Sequence, residues 1–218
     1  MLNRTRRKMR YAILLMRIEG PIMFFSHLKG QIFHRYTFLS LQKNLDAKSV
    51  PVPCEVKYSL QLASETDMQE MLQMARSEGK ESAYELIGRE LFYDSGFRDC
   101  YVARSVDTNE LCFVEWMISQ KDCQRLYRDF GNMLPRLERW DVWVENSYTF
   151  KKYRGKKVYP SVLVELADIA RNQGFKRMLT YVRGDNIASM KGCERAGFQV
   201  FGRVTEVKLL FSTRRKYP

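Results

Sequence analysis

The stretch from residue 140 to residue 182 constrains this chain more than any other. It reads as a strand (Trp140–Thr149), a basic turn (Arg154–Tyr159), a helix and a second strand (Arg177–Val182). The helix signal is definite. Pro160 sits at a position where a missing N–H costs nothing, because first-turn amides lack intrahelical acceptors. Val162, Leu163, Leu166, Ile169 and Ala170 recur on one face, and Gly174 stops the run. A helix N-terminus presents unpaired N–H groups and partial positive charge. The preceding turn, "YRGKKVYP", adds the full charges of Arg154, Lys156 and Lys157. Such a turn suits a phosphate group, although Gly155 is its one glycine.

The rest of the chain reads as alternating strands and helices. Glu55–Ala63 is expected as a strand, followed by a helix to about Ser77 with Ser64 as N-cap and Asp67 three residues on. Ser82–Asp94 reads as a second helix. Cys100–Val106 and Leu111–Ile118 read as strands joined at Asp107-Thr108-Asn109. After Arg183, "DNIASMKGCERAGF" forms a helix over Asn186–Arg195 closed by Gly197, and Phe198–Phe211 supplies one or two last strands.

Those two stretches, in that order and spacing, resemble the GNAT superfamily of acyl-CoA-dependent N-acetyltransferases. "YRGKKVYPSVLVELADIARNQGFKRMLTYV" is similar to the family's cofactor-binding turn, helix and strand. "NIASMKGCERAGF" is similar to the helix that follows. The resemblance implies an α/β fold: a mixed, mostly antiparallel sheet flanked by helices, spanning 54–218, behind a basic N-terminal extension (1–53). It implies acetyl-CoA, or another acyl-CoA, as acyl donor and the primary amine of a small molecule as acceptor, with direct attack on the thioester. Arg154, Gly155, Lys156, Lys157, Val158 and Tyr159 would hold the pyrophosphate. Asn186, with Ser189 three residues later, would hold the pantetheine arm; Asn186 is equally fit to be a plain N-cap.

The chain departs from the family pattern in two places. Laid on Arg154, the pattern Arg/Gln-x-x-Gly-x-Gly/Ala puts Lys157 and Tyr159 where small residues normally stand. Cys193 occupies the position, four before Gly197, where many relatives have a tyrosine that protonates the leaving thiolate. A thiol is a weak donor, so Tyr181 or Tyr148 is an alternative, as is departure of the thiolate without a dedicated acid. An amine nucleophile must lose a proton before attack. Glu145 is the first candidate base, Asp141 the second and Glu115 the third. Trp116, Trp140 and Trp143 are candidates for an acceptor cleft or for core.

Charge bounds the partners. The net charge is +12, and residues 1–50 hold ten Lys and Arg against Glu19 and Asp46. Such a segment suits an acidic carrier protein or a membrane surface; nucleic acid is not expected. Acyl transfer from a carrier protein, or a non-catalytic binding module, are the alternative readings. No apolar run nears the roughly 18 residues of a membrane span, and no cleavage pattern follows the basic start. Five irregularly spaced cysteines without C-x-x-C, and two histidines, argue against a metal site. The expectation is a cytoplasmic protein, with the inner membrane face as a peripheral site.

Overall fold

A computed structural model describes residues 33–131, 136–209 and 212–216. Eight strands form one sheet: β1 (Phe33–Asn44), β2 (Tyr58–Leu62), β3 (Cys100–Ser105), β4 (Leu111–Ser119), β5 (Asp141–Thr149), β6 (Arg177–Arg183), β7 (Gln199–Leu209) and β8 (Ser212–Lys216). Their order across the sheet is β2-β3-β4-β5-β6-β1-β7-β8. Every pairing is antiparallel except β5 with β6. The mixed, mostly antiparallel α/β architecture expected from the sequence is therefore present.

Five helices connect these strands: α1 (Glu65–Glu78), α2 (Lys80–Asp94), α3 (Cys123–Phe130), α4 (Val158–Asn172) and α5 (Ile187–Arg195). The start of α1 is fixed as its sequence suggests. Ser64 accepts from the Asp67 N–H at 3.1 Å, and the Asp67 carboxylate accepts from the Ser64 N–H at 2.7 Å. The polar stretch after β4, to which the sequence assigns no element, holds a 3-10 turn (Gln120–Asp122) and α3. Helix α4 begins two residues before Pro160, so the proline takes the third helical position, still within the turn that needs no donor.

Phe33–Asn44 belong to the segment read above as a basic extension, yet β1 lies between β6 and β7 in the sheet. Its first half alternates as a strand with one covered face: Arg35 and Thr37 are exposed, while Tyr36 and Phe38 are half-buried. Residues 1–32 lie outside the described residues, and with them most of the basic segment on which the carrier-protein and membrane readings rest.

The sheet opens at one point. Strands β5 and β6 pair only at Asp141–Arg177, Val142–Met178 and Trp143–Leu179. From there β6 stays with β1 along its length, and β5 stays with β4. Between Val114–Tyr148 and Trp116–Glu145 the β5 side advances three residues against two on β4. One extra residue is thus inserted, and Asn146 has φ 64°, marking a β-bulge that turns β5 away from β6. The core is continuous beneath the opening, with Trp116, Trp143, Phe113 and Phe150 fully buried. Trp143 and Trp116 are core residues, whereas Trp140 is 42% exposed at the end where β5 begins.

Candidate functional site

The opening between β5 and β6 holds two adjoining cavities. One, of about 460 Å³, runs from Ser147–Thr149 on β5 past the turn residues Arg154, Gly155, Lys157, Val158 and Tyr159 to Asn186 and Ser189 at the start of α5. The other, of about 420 Å³, lies between Glu145–Ser147 on β5 and Thr180–Arg183 on β6, with Tyr36 and Phe38 of β1 on its far wall. The two share Glu85, Ser147, Tyr159, Asn186 and Ser189, so they meet rather than merely lie side by side.

The first cavity is lined by the start of α4 and by Arg154, Lys157, Lys191 and Arg195. The first intrahelical hydrogen bond at the start of α4 runs from the Ser161 N–H to the Lys157 carbonyl. The Val158 and Tyr159 amides therefore have no intrahelical acceptor, and Pro160 has no N–H to leave unpaired. Gly155 (φ 77°) and Lys157 (φ 61°) both take left-handed conformations, which fold the turn tightly onto the helix start. Arg154 is exposed and anchored by its Nε to the Thr149 carbonyl at 2.9 Å, with its guanidinium 5.3 Å from the Tyr148 ring. Lys156 is set apart: it is absent from the lining, its Nζ lies 5.7 Å from the Tyr153 ring, and its carbonyl accepts from the Glu55 N–H. Asn186 is the N-cap of α5, its side-chain oxygen accepting from the Ser189 N–H at 3.1 Å. Its N–H2 end remains for a ligand carbonyl.

The two bulky residues of the turn are accommodated in different ways. Lys157 adopts the backbone conformation a glycine would take, and its Nζ pairs with Glu55 at 3.2 Å in an exposed ion pair. A left-handed non-glycine residue costs roughly 1–2 kcal/mol, and an exposed pair of this kind returns little. Lys157→Gly is therefore expected to raise stability by about 1 kcal/mol. A urea unfolding midpoint that falls instead would show the ion pair to outweigh the strain. Tyr159 turns its ring across α5. A Cβ on Gly192 would fall 2.4 Å from Tyr159 Cδ1, so this helix position needs glycine. On its other side the ring lies 5.7 Å from that of Phe113.

The three candidate bases separate clearly. Glu145 lines the second cavity, half-buried, its Oε2 accepting from the Trp143 indole N–H at 3.0 Å. Asp141 lies at the closed end of the opening. It is fully buried and held by Arg177 through two bonds of 2.8 and 2.9 Å and by the Glu138 N–H at 3.0 Å. It lines neither cavity, and its geometry is that of a brace joining β5 to β6. Glu115 is also fully buried. Ser147 Oγ lies 2.7 Å from its Oε1, and its Oε2 has no partner among the described residues. Burial pushes its carboxyl well above the usual range, and Glu145 nearby pushes the same way.

The candidate acids separate too. Cys193 is fully buried behind Tyr159 and lines neither cavity; burial raises its thiol to about 12. The Tyr148 hydroxyl donates to Glu78 at 2.6 Å, and burial with Glu78 raises it to about 12. Tyr181 lines the second cavity, 4.3 Å from Trp143 in an edge-on contact.

Arg89 of α2 is a site residue that sequence reasoning missed. Its guanidinium donates to the Asn146 carbonyl (2.7 Å), the Ser147 carbonyl (2.8 Å) and the Glu85 carbonyl (2.8 Å). It thereby satisfies the carbonyls that the bulge removes from the ladder and holds the opening in shape. The only local trace of this is the i, i+4 pair Glu85 and Arg89 on one helix face.

No protein-family model and no curated protein matches the chain. Solved structures do. An acetyltransferase of the GNAT family from Colwellia psychrerythraea is 14% identical over 81% of this chain and 57% of its own, with a TM-score of 0.55. A GCN5-related N-acetyltransferase from Sphaerobacter thermophilus is 13% identical over 92% of this chain and 58% of its own, at 0.56. The glucosamine N-acetyltransferase region of a fungal multi-domain beta-N-acetylglucosaminidase is 14% identical over 84% of this chain and 22% of its own, at 0.59. The chain thus spans less than two thirds of the length of each. The fold is that of the GNAT acetyltransferases.

Proposed function

We propose that this chain is an N-acyltransferase that moves an acetyl or other acyl group from acyl-CoA to the primary amine of a small molecule by direct attack. One observation carries the reading: a cavity lined by helix-start amides without intrahelical acceptors and by basic side chains opens into a second that holds a carboxylate, Glu145, with no basic side chain bonded to it among the described residues. The donor lies in the first, its diphosphate against the amides of Val158 and Tyr159 with Arg154 and Lys157 at the rim, its pantetheine arm bonded to Asn186. The acceptor enters the second. Glu145 takes the proton that an ammonium group, with a pKa of about 10, must lose before it can attack. The freed amine attacks the thioester carbonyl where the cavities meet.

The residues fit an acyl-CoA in charge as well as shape. The first cavity carries Arg154, Lys157, Lys191 and Arg195 against the single acid Glu85. The second carries Glu85, Glu145 and Glu206 against Arg89 and Arg183, with Glu85 paired to Arg89 and Glu206 to Arg215.

Thermal unfolding with CoA and acetyl-CoA tests the donor half directly. A ligand at about 100 times its Kd raises stability by about 2.7 kcal/mol. Asn186→Ala and Arg154→Glu are each expected to weaken CoA binding about tenfold, the worth of one good polar contact. A wild-type melting temperature indifferent to every CoA species would remove the proposal.

A further inference from the structure

Two opposite charges in the second cavity are not cancelled by their neighbours. Glu85 pairs with Arg89, whose guanidinium is further committed to the carbonyls of Glu85, Asn146 and Ser147. Glu206 pairs with Arg215 of β8 at 2.7 Å. Of the charged side chains lining the cavity, Glu145 and Arg183 remain. Glu145 uses Oε2 to accept from the Trp143 indole, and its Oε1 has no hydrogen-bond partner among the described residues. Arg183 uses Nε to donate to Asp185, and its two terminal nitrogens have no hydrogen-bond partner among the described residues either. The Arg183–Asp185 pair joins exposed side chains, and such a pair is worth little.

The register sets both charges on one face of the sheet. Trp143 and Glu145 alternate onto the same side of β5, and Tyr181 and Arg183 onto the same side of β6. The edge-on contact of Trp143 with Tyr181 shows the two sides to be one. Counting from the last β5–β6 pair, Trp143 with Leu179, Glu145 is level with Tyr181. Arg183 stands two residues farther along β6, roughly 7 Å toward the mouth. Its guanidinium lies 5.0 Å from the centre of the Tyr36 ring. That stack fixes the plane of the group and leaves its terminal edge open, the arrangement that receives a carboxylate through two parallel hydrogen bonds.

A simple monoamine at Glu145 would leave Arg183 unmatched, and a diamine would bring a second cation against it. A phosphate would match Arg183 but add a second negative charge beside Asp185. We propose that the acceptor is an amino acid in the broad sense, a small molecule with a primary amine and a carboxylate, its amine received at Glu145 and its carboxylate at Arg183. This rests on the acyl-CoA reading of the cavities. In the transfer the ammonium nitrogen gives up two protons, one to Glu145 and one to the departing sulfur, and bonds the acyl carbon in their place. The electron pair of the broken carbon–sulfur bond stays with sulfur. The carboxylate takes no part in that exchange, so Arg183 sets specificity. Its hold is equal before and during bond formation, and it therefore acts on KM more than on kcat.

Steady-state acylation of matched acceptors tests this. Each pair sets an amino acid against the amino alcohol of the same carbon skeleton, across the common α-amino acids and the ω-amino acids from β-alanine to aminohexanoic acid. The best amino acid is expected to exceed its alcohol about 30-fold in kcat/KM, the worth of one charge-assisted contact. In Arg183→Gln that ratio falls to near one through a higher KM for the amino acid, a substrate-specific loss that a loosened fold would not produce. Alcohols acylated as well as the acids, or a preference for the acids that survives Arg183→Gln, would overturn the proposal and leave the acyl-CoA reading in place. So would a wild type that binds CoA yet acylates no amino acid of the series. A wild type that binds no CoA species would overturn both.

Discussion

Exchanging Glu145 for glutamine is expected to lower turnover about 1000-fold while leaving both Michaelis constants within about threefold. Glutamine has nearly the same shape, and its amide oxygen can accept the Trp143 indole proton that Glu145 accepts at 3.0 Å. It has no basicity. The position is otherwise undemanding: the side chain is half-buried beside the bulge, so the exchange leaves no buried orphan of the kind that unfolds proteins. The effect therefore falls on the chemical step. Steady-state kinetics with the acyl donor and a panel of small primary amines reads it. Undiminished kcat would show that the amine arrives already deprotonated and that Glu145 merely lines a wall.

How Glu145 comes to line the second cavity shows what local sequence can and cannot convey. The alternation of β5, the N-cap box at Ser64 and the amphipathic face of α4 are short-range patterns, and each element forms where its pattern lies. Turn, helix and strand around Pro160 likewise carry their positions in neighbouring residues. The opening itself is different. It depends on one inserted residue at Asn146, and on an arginine 57 positions away whose side chain caps the freed carbonyl. Neither is visible without knowing which strands are neighbours. Asp141 and Glu145 share a face of β5, and only the register of β6 decides that Arg177 pins the first and leaves the second at the opening. The place of β1 between β6 and β7 is equally non-local, since a strand pattern does not name its partners. Gly192 was the one local hint of where the Tyr159 ring packs. A glycine inside a helix costs about 1 kcal/mol relative to alanine, and the close approach of the Tyr159 ring is what that cost permits.

Glu115 ties this geometry to the stability of the protein, and the sign of its effect can be worked out. Its folded-state pKa is raised well above the ordinary 4.5, first by burial and then by Glu145, with Ser147 and Arg89 opposing. Above pH 4.5 the unfolded chain loses this proton while the folded chain retains it. The folded state then binds more protons than the unfolded state, so stability falls as pH rises, by about 1.4 kcal/mol per pH unit from this group, until the folded pKa is passed. Glu115→Gln cannot titrate. Its amide oxygen can accept from Ser147 as Oε1 does at 2.7 Å, and its N–H2 takes the unpartnered place of Oε2. Below pH 4.5 the variant is expected to be equal to the wild type or about 1 kcal/mol less stable, for the extra N–H it buries. Its relative stability then climbs with pH until the folded pKa of Glu115 is passed. Urea unfolding of both proteins across that range measures the difference directly, with every other titrating group cancelling. A difference independent of pH would mean that Glu115 ionises in the fold as it does in the open chain.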